Sequence, residues 1–192
     1  MRKELVFLLE ERSAKVMLES LLPRMLDERI GFKLIAFEGK QDLEKRMTMR
    51  MRGYLNTEAR FVVMRDQDSD PNCVALKSRL VMKCQESGRG DVSLVRLACR
   101  ELETFYLADL KAVEKALDIK GLGAKQQVAK FRNPDNLVSP SHELKTLSKQ
   151  RYEKISGSRE IGRHLTVDNV RSDSFRNLIQ GIKRLEQELL AL

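Results

Sequence analysis

The chain of 192 residues carries 36 Lys and Arg against 28 Asp and Glu, for a formal net charge of +8. Hydrophobic residues make up 42% and charged residues 33%, which argues against a disordered chain and predicts a sizeable core. No apolar run approaches the roughly 20 residues of a membrane span, so we expect neither a membrane segment nor a secretory signal. The three cysteines show no CxxC spacing, which favours a reducing, cytoplasmic compartment.

Predicted strands and helices alternate over the first 117 residues. Apolar runs predict strands at residues 5–9, 32–37, 60–65 and 92–98. Apolar residues at helical spacing follow each strand and predict four helices. The helices run from Ser13 to about residue 30, from Asp42 as the cap to about residue 52, from Pro71 to residue 88, and over residues 102–113. This order predicts an α/β fold, a parallel sheet of about four strands with helices on both faces.

The pattern loosens beyond Leu117, where glycines and prolines interrupt short helical pieces. The last predicted helix, residues 172–190, carries an apolar face that must pack on something. We therefore divide the chain into an α/β core at residues 1–117 and a partly irregular, helical C-terminal extension at residues 118–192 that packs on the core.

Acidic residues follow three of the four predicted strands. They are Glu10 and Glu11 after the first strand, Asp66, Asp68 and Asp70 after the third, and Glu101 and Glu103 after the fourth. Ligands of parallel α/β sheets bind beyond the carboxyl ends of the strands, and clustered carboxylates are the ligands that Mg²⁺ prefers. The alternative is a solvated acidic rim of turn and helix N-terminal residues.

A basic helix adjoins this edge and is a candidate for contacts with phosphate groups. Its cations are Lys40, Lys45, Arg46, Arg50 and Arg52. The alternative is a solvated helix face, because no aromatic residues interleave to stack on bases.

Several segments resemble a known family. Residues 6–13, VFLLEERS, and residues 61–68, FVVMRDQD, resemble the Toprim signature, in which a Glu ends the first strand and Asp-x-Asp ends the third. The pattern is similar to small stand-alone Toprim-like proteins of bacteria related to overcoming-lysogenization-defect (OLD) nucleases. Similar segments are GKQDL at 39–43, CVALK at 73–77, ELETF at 101–105, YEK at 152–154 and RSDSF at 171–175, so the resemblance covers nearly the whole chain.

The resemblance implies cleavage of phosphodiester bonds with Mg²⁺, or alternatively Mn²⁺. It places Glu10, Asp66 and Asp68 at the metal and in catalysis, and Glu101 and Glu103 at a second metal. Two positions depart from the family pattern, because Glu11 stands where a Gly is usual and Ala14 where nucleases often carry an acid.

Three further residues complete the predicted site. Glu11 is a substitute metal ligand, and Asp70 is the remaining acid that we assign to the metal. Lys154 is the candidate for stabilising negative charge that develops during the reaction.

The resemblance also implies partners. Such proteins are often encoded beside an ABC-type or SMC-like ATPase in phage-defence loci, which implies an effector subunit acting on nucleic acid. The resemblance favours DNA as the substrate, with structured RNA such as tRNA as the alternative. A second hypothesis is a non-catalytic partner subunit whose C-terminal helix face, residues 175–189, binds an ATPase or a second copy. A third class, phosphoacceptor or phosphatase α/β domains, also places acids at strand ends with Mg²⁺.

Overall fold

The computed structural model describes residues 2–192, which form four strands and nine α-helices. The strands are β1 (Glu4–Leu9), β2 (Gly31–Ala36), β3 (Arg60–Asp66) and β4 (Ser93–Ala98). The helices are α1 (Arg12–Leu21), α2 (Lys40–Arg52), α3 (Cys73–Glu86), α4 (Glu103–Leu107), α5 (Leu110–Leu117), α6 (Ala129–Arg132), α7 (Pro140–Leu147), α8 (Lys154–Gly162) and α9 (Asp173–Leu190). The predicted α/β fold is confirmed.

The four strands form one parallel sheet in the order β2-β1-β3-β4. Leu9 of β1 is opposite Met64 of β3, and Asp66 of β3 is opposite Ala98 of β4. The carboxyl ends of β1, β3 and β4 therefore lie side by side. Strand β2 is one edge of the sheet.

Two hydrophobic layers cover the sheet, because successive side chains of a strand point to opposite faces. Phe7, Leu9 and Met64 pack with α1, α4, α5, α8 and α9 on one face. Leu8 and Val63 pack with α2 and α3 on the other. Helices flank both faces, as the sequence predicts.

Several helix boundaries differ from the sequence prediction. Helix α3 begins at Cys73, not at Pro71, because the Asn72 side chain accepts the backbone N–H of Ala75 as its N-cap. Helix α1 begins one residue before Ser13 and ends at Leu21, where a short 3₁₀ turn containing Pro23 takes over. Helix α2 begins at Lys40 after Gly39, whose φ is 95°, so Asp42 lies inside the first turn and accepts the backbone N–H of Glu38.

The helix predicted at residues 102–113 is two helices. Asp109 lies between them, and its side chain accepts the backbone N–H of Ala112 as the N-cap of α5. The apolar residues continue across this break, so hydrophobic spacing alone did not show it.

The C-terminal helix α9 buries its apolar face against the sheet of its own chain. Phe175, Leu178, Ile182 and Leu189 are almost fully buried there. The hypothesis that this face binds an ATPase or a second copy is therefore wrong as stated.

Helix α8 packs closely on α1. A Cβ atom on Gly162 would lie 2.6 Å from the carbonyl oxygen of Met17, so the two backbones meet where only glycine fits. This contact fixes α8 along the side of α1.

Within residues 2–192, no helix is long and apolar enough to cross a membrane.

Candidate active site

A pocket of about 210 Å³ lies at the carboxyl ends of β1, β3 and β4, and we call it the acidic pocket. Its lining residues are Glu11, Asp66, Asp68, Glu101, Glu103, Ser141, Lys145, Tyr152 and Lys154. Acidic residues that follow three strands thus line one cavity. The adjacent carboxyl ends of those strands are the structural cause.

Asp66 ends β3 and is 7% exposed. Its Oδ2 accepts the backbone N–H of Leu102 at 3.1 Å, which ties β3 to the segment before α4. Burial, followed by the charges of Glu103, Glu10 and Glu11, raises the pKa of Asp66 well above its ordinary value. Burial and the neighbouring carboxylates therefore disfavour the charged form of Asp66 in the absence of a bound cation.

Glu10 and Glu11 are adjacent in sequence and have different roles. Glu10 is buried, and its Oε2 accepts the backbone N–H of Asp66 at 3.0 Å, so it joins β1 to β3. Burial raises the pKa of Glu10. Glu10 is not among the residues that line the acidic pocket, whereas Glu11 lines it and contacts Lys154 Nζ at 2.6 Å.

Asp68 lines the pocket from a strained turn. Its φ is 55°, a left-handed conformation that Asp tolerates better than most residues, and its N–H donates to the carbonyl oxygen of Arg100 at 2.7 Å. Its Oδ2 contacts Lys40 Nζ at 3.0 Å. The backbone hydrogen bond to Arg100 and the ion pair with Lys40 hold the Asp68 carboxylate at the pocket.

Asp70 lies outside the acidic pocket. Its Oδ1 accepts the backbone N–H of Asn72, and its Oδ2 lies 3.8 Å from Arg79 Nη2. Of the seven acids in the predicted metal site, the structure therefore brings five to the pocket lining and places Glu10 and Asp70 elsewhere.

Glu101 and Glu103 are held by the C-terminal segment. The backbone N–H of Ser141 donates to Glu101 Oε2 at 2.7 Å, and the Tyr152 hydroxyl donates to Glu103 Oε1 at 2.8 Å. Burial raises the pKa of Glu103, which is 2% exposed. Burial also raises the pKa of Tyr152, so the hydroxyl stays protonated as a donor.

Lys154 begins α8 and reaches into the pocket. Burial alone would lower its pKa, but the hydrogen bond to Glu11 and the charges of Glu11, Glu103 and Asp66 raise it overall. Lys154 is therefore a cation held among carboxylates.

The donor chemistry of the pocket fits a hard divalent cation, because its acidic groups are all carboxylates. Within residues 2–192, however, no three Asp, Glu, His or Cys side chains converge closely enough to hold a metal as they stand. Lys154 and Lys40 engage Glu11 and Asp68 instead.

The predicted basic helix is α2, and its cations are spread around it. Lys40 reaches the acidic pocket through its ion pair with Asp68. Arg46 pairs with Asp42, and its guanidinium lies over the Phe37 ring.

The other cations of α2 lie away from the acidic pocket. Arg52 donates to the carbonyl oxygen of Glu86. The remaining two are exposed, Lys45 on the helix surface and Arg50 at a separate groove beside β2.

Three residues that line the acidic pocket were not predicted from the sequence. They are Ser141, Lys145 and Tyr152, and all come from the C-terminal extension. Tyr152 lies in the YEK segment that the family resemblance includes, which was the only signal for it.

Comparisons with known proteins give the relatives of this chain. Residues 9–183 match the sequence model of a family described as Domain of unknown function (DUF4276). No curated protein matches. The structure is similar to the C-terminal region of the Burkholderia pseudomallei OLD protein, with a TM-score of 0.55 and 15% identity over 97% of this chain and 98% of that one. At this identity the similarity bears on the fold alone.

Proposed function

The chain belongs to the family described as Domain of unknown function (DUF4276), and we propose that its acidic pocket is the active site of a metal-dependent nuclease. One observation carries the proposal, namely that carboxylates following three different strands line a single pocket together with two lysines, Lys145 and Lys154. Similarity to the C-terminal region of an OLD protein supports the choice of fold. The Toprim-like signature supports phosphodiester bonds as the target.

The metal would be Mg²⁺, with Mn²⁺ as a substitute. Asp66, Asp68 and Glu11 are the residues that would hold it, with Glu101 and Glu103 beside them. When bound, such a cation stabilises negative charge on a phosphoryl group and lowers the pKa of bound water. Glu10 would act as a positioning residue, because it binds the backbone of Asp66 and does not line the pocket.

Two lysines neutralise part of the negative charge at the acidic pocket. Lys154 and Lys40 pair with Glu11 and Asp68, so a cation must compete with their ammonium groups. A released Lys154 would remain beside the reacting phosphate and stabilise its negative charge. We therefore assign Lys154 to phosphate binding.

The substrate would be a nucleic acid, with DNA favoured over tRNA. Lys40 connects α2 to the pocket, and Lys45 and Arg50 extend the positive charge along that helix. Contacts to phosphate groups would make binding weaken steeply as the salt concentration rises. An effector subunit of an anti-phage system is the cellular role that fits this activity.

A cleavage assay tests the proposal. Supercoiled plasmid and tRNA are incubated with wild type and with Asp66→Ala/Asp68→Ala, each with Mg²⁺, Mn²⁺ or EDTA. We expect cleavage by wild type with either metal, none in EDTA, and at least a hundredfold loss in the double variant. Cleavage by the double variant at the wild-type rate would exclude the site.

Asp70→Ala is the matched control. It removes an acid from the same loop, and that acid does not line the pocket. Its cleavage rate should stay within about twofold of wild type, and thermal unfolding of the variant checks that the fold is unchanged. An equal loss in Asp70→Ala and the double variant would mean that the loop fold, and not the pocket, limits cleavage.

The second candidate function is a non-catalytic partner subunit of an ABC-type or SMC-like ATPase. The ion pairs of Lys154 and Lys40 favour it, because they fill the acidic pocket with internal contacts. Such a protein would be inert with every metal and would co-purify with an ATPase. Cleavage by the isolated chain would count against it.

A further inference from the structure

We propose that a second pocket, at the far end of α8 from the acidic pocket, binds a small phosphate-bearing ligand. The residues that line this basic pocket of about 280 Å³ include Arg24, Asp109, Lys111, Lys115, Arg163 and His164. Lys154 begins α8 in the acidic pocket, and Arg163 follows its last residue, so about 13 Å of helix separates the two sites. The proposal does not depend on nuclease activity.

Three separate parts of the chain bring positive charge to the basic pocket. Arg24 comes from the turn after α1, Lys111 and Lys115 from α5, and Arg163 from the segment after α8. One carboxylate, that of Asp109, lines the pocket with them. Arg163 pairs with Glu160 at 2.8 Å, so Arg24, Lys111 and Lys115 against Asp109 leave a net positive charge for an anion to neutralise.

The carboxylate of Asp109 is already engaged by the backbone. Its Oδ1 accepts the N–H of Ala112 at 3.2 Å, and its Oδ2 accepts the N–H of Thr166 at 2.8 Å. Oδ1 therefore caps the N-terminus of α5, and Oδ2 joins α5 to the segment after α8. The Asp109 charge is not aimed at the lysines.

The frame of the pocket is fixed. Arg24 donates to the carbonyl oxygens of Gly162 at 3.0 Å and Leu165 at 2.9 Å. These two bonds hold the guanidinium against the end of α8, so its charge is in place before any ligand arrives. Such preorganisation lowers the entropic cost of binding.

In the described part of the chain, Lys111 and Lys115 of the basic pocket have neither a carboxylate nor a backbone carbonyl as a partner, although Glu114 and Asp118 line an adjacent groove with them. The two lysines lie one helical turn apart on α5, both are exposed, and within residues 2–192 neither forms an ion pair with a carboxylate. Like charges at this spacing destabilise a helix slightly. An oxyanion between them would remove that repulsion and gain two charge-assisted hydrogen bonds.

His164 gives the pocket a reporter. Burial lowers its pKa, and the positive charges of Lys115 and Arg24 lower it further. The charged groups facing it are Lys115 from α5, Arg24 from the turn after α1, and Glu160 and Arg163 from α8 and its end. A bound dianion would reverse the effect of the cations and favour the protonated imidazole.

The experiment is an NMR titration of the histidine side chains of the full chain. The sequence has two histidines, and His142 is an internal control because it lies on α7 outside the basic pocket. Inorganic phosphate, adenosine monophosphate and a short single-stranded DNA are added separately at constant ionic strength. We expect saturable movement of the His164 resonances with phosphate and with the nucleotide, and none for His142.

Charge reversal completes the test. Lys111→Glu/Lys115→Glu should weaken phosphate binding at least tenfold, while Lys125→Glu, an exposed residue outside the basic pocket, should leave it unchanged. A response to phosphate but not the nucleotide identifies the free anion as the ligand, and a stronger response to the nucleotide identifies a phosphate ester. A response to DNA alone, no response, or equal movement of both histidines would overturn the proposal.

The readout is separate from that of the nuclease. If wild type does not cleave plasmid but its His164 resonances still respond to phosphate, the proposed nuclease function is excluded and the phosphate site in the basic pocket is supported. Plasmid cleavage without any phosphate-induced change in the His164 resonances would support the proposed nuclease function and exclude the phosphate site.

Discussion

The acidic pocket and the basic pocket lie at opposite ends of α8 and differ in whether their charged side chains have partners within the protein. The carboxylates of the acidic pocket are held by internal contacts, such as Tyr152 on Glu103 and Lys154 on Glu11. The lysines of the basic pocket are exposed and have no carboxylate partner in residues 2–192. The buried Glu103 is thus tied to the fold by a hydrogen bond, whereas Lys111 and Lys115 are left available to solvent and ligands.

The comparison predicts which substitutions damage the fold and which do not. Changes at α8 itself should disturb both pockets. Changes in the acidic pocket should alter stability by a kcal/mol or more, and changes in the basic pocket by only tenths.

Gly162→Ala should have the largest effect, a loss of about 3 kcal/mol in the free energy of unfolding. The added Cβ would meet the backbone of Met17, and backbone cannot move aside as a flexible side chain can. Urea unfolding measures the loss, and Ser156→Ala, at an exposed position of the same helix, is the control. A variant as stable as wild type would show that α8 can shift along α1.

Tyr152→Phe should cost about 2 kcal/mol, because it leaves the buried Glu103 carboxylate without its hydroxyl donor. Tyr54→Phe removes a similar bond, to the more exposed Glu4, and should cost less. Thermal unfolding of both variants compares the two sites. Equal losses would mean that burial of Glu103 does not strengthen this contact.

Asp66→Asn should stabilise the protein in EDTA near neutral pH, by about 1 kcal/mol or 2–4 °C in Tm for a domain of this size. The raised pKa means that the folded state binds a proton more tightly than the unfolded state, so this aspartate lowers stability as pH rises above about 4. The difference in Tm between variant and wild type should therefore grow from pH 4 towards pH 7. A difference that is constant or shrinks with pH would contradict the assignment.

Lys111→Ala should have the smallest effect, a gain of a few tenths of a kcal/mol at low salt. It removes one member of the like-charged pair on α5, and salt should abolish the gain by screening. Chemical denaturation at two salt concentrations measures the effect, and Lys125→Ala, at an exposed position outside the Lys111–Lys115 pair, serves as the control. A clear loss of stability would show that Lys111 has a structural partner.

The sheet was predictable because its strands are short apolar runs separated by amphipathic helices. Their parallel direction follows from the helical crossovers, whereas the strand order that places β3 beside β1 comes from the structure. The break between α4 and α5 was missed, because Asp109 acts as a helix cap inside a continuous apolar pattern.

The details of the site were harder to predict than its location. Glu10 and Glu11 follow the same strand, and only the structure shows that Glu10 binds the backbone of Asp66 while Glu11 lines the pocket. Ser141 and Lys145 reach the pocket through the path of the C-terminal extension. Periodicity carries no information on contacts between segments that lie so far apart in sequence.

Strand β2 ends the sheet, and its outer edge has consequences for the protein at high concentration. An exposed strand edge offers unpaired backbone groups to any second chain and so invites fibrous association. Here the strand has six residues, and the exposed Lys33 stands in its middle with its ammonium group over the Tyr54 ring. Two copies meeting edge to edge would bring these lysines together, and that charge acts as a gatekeeper against aggregation.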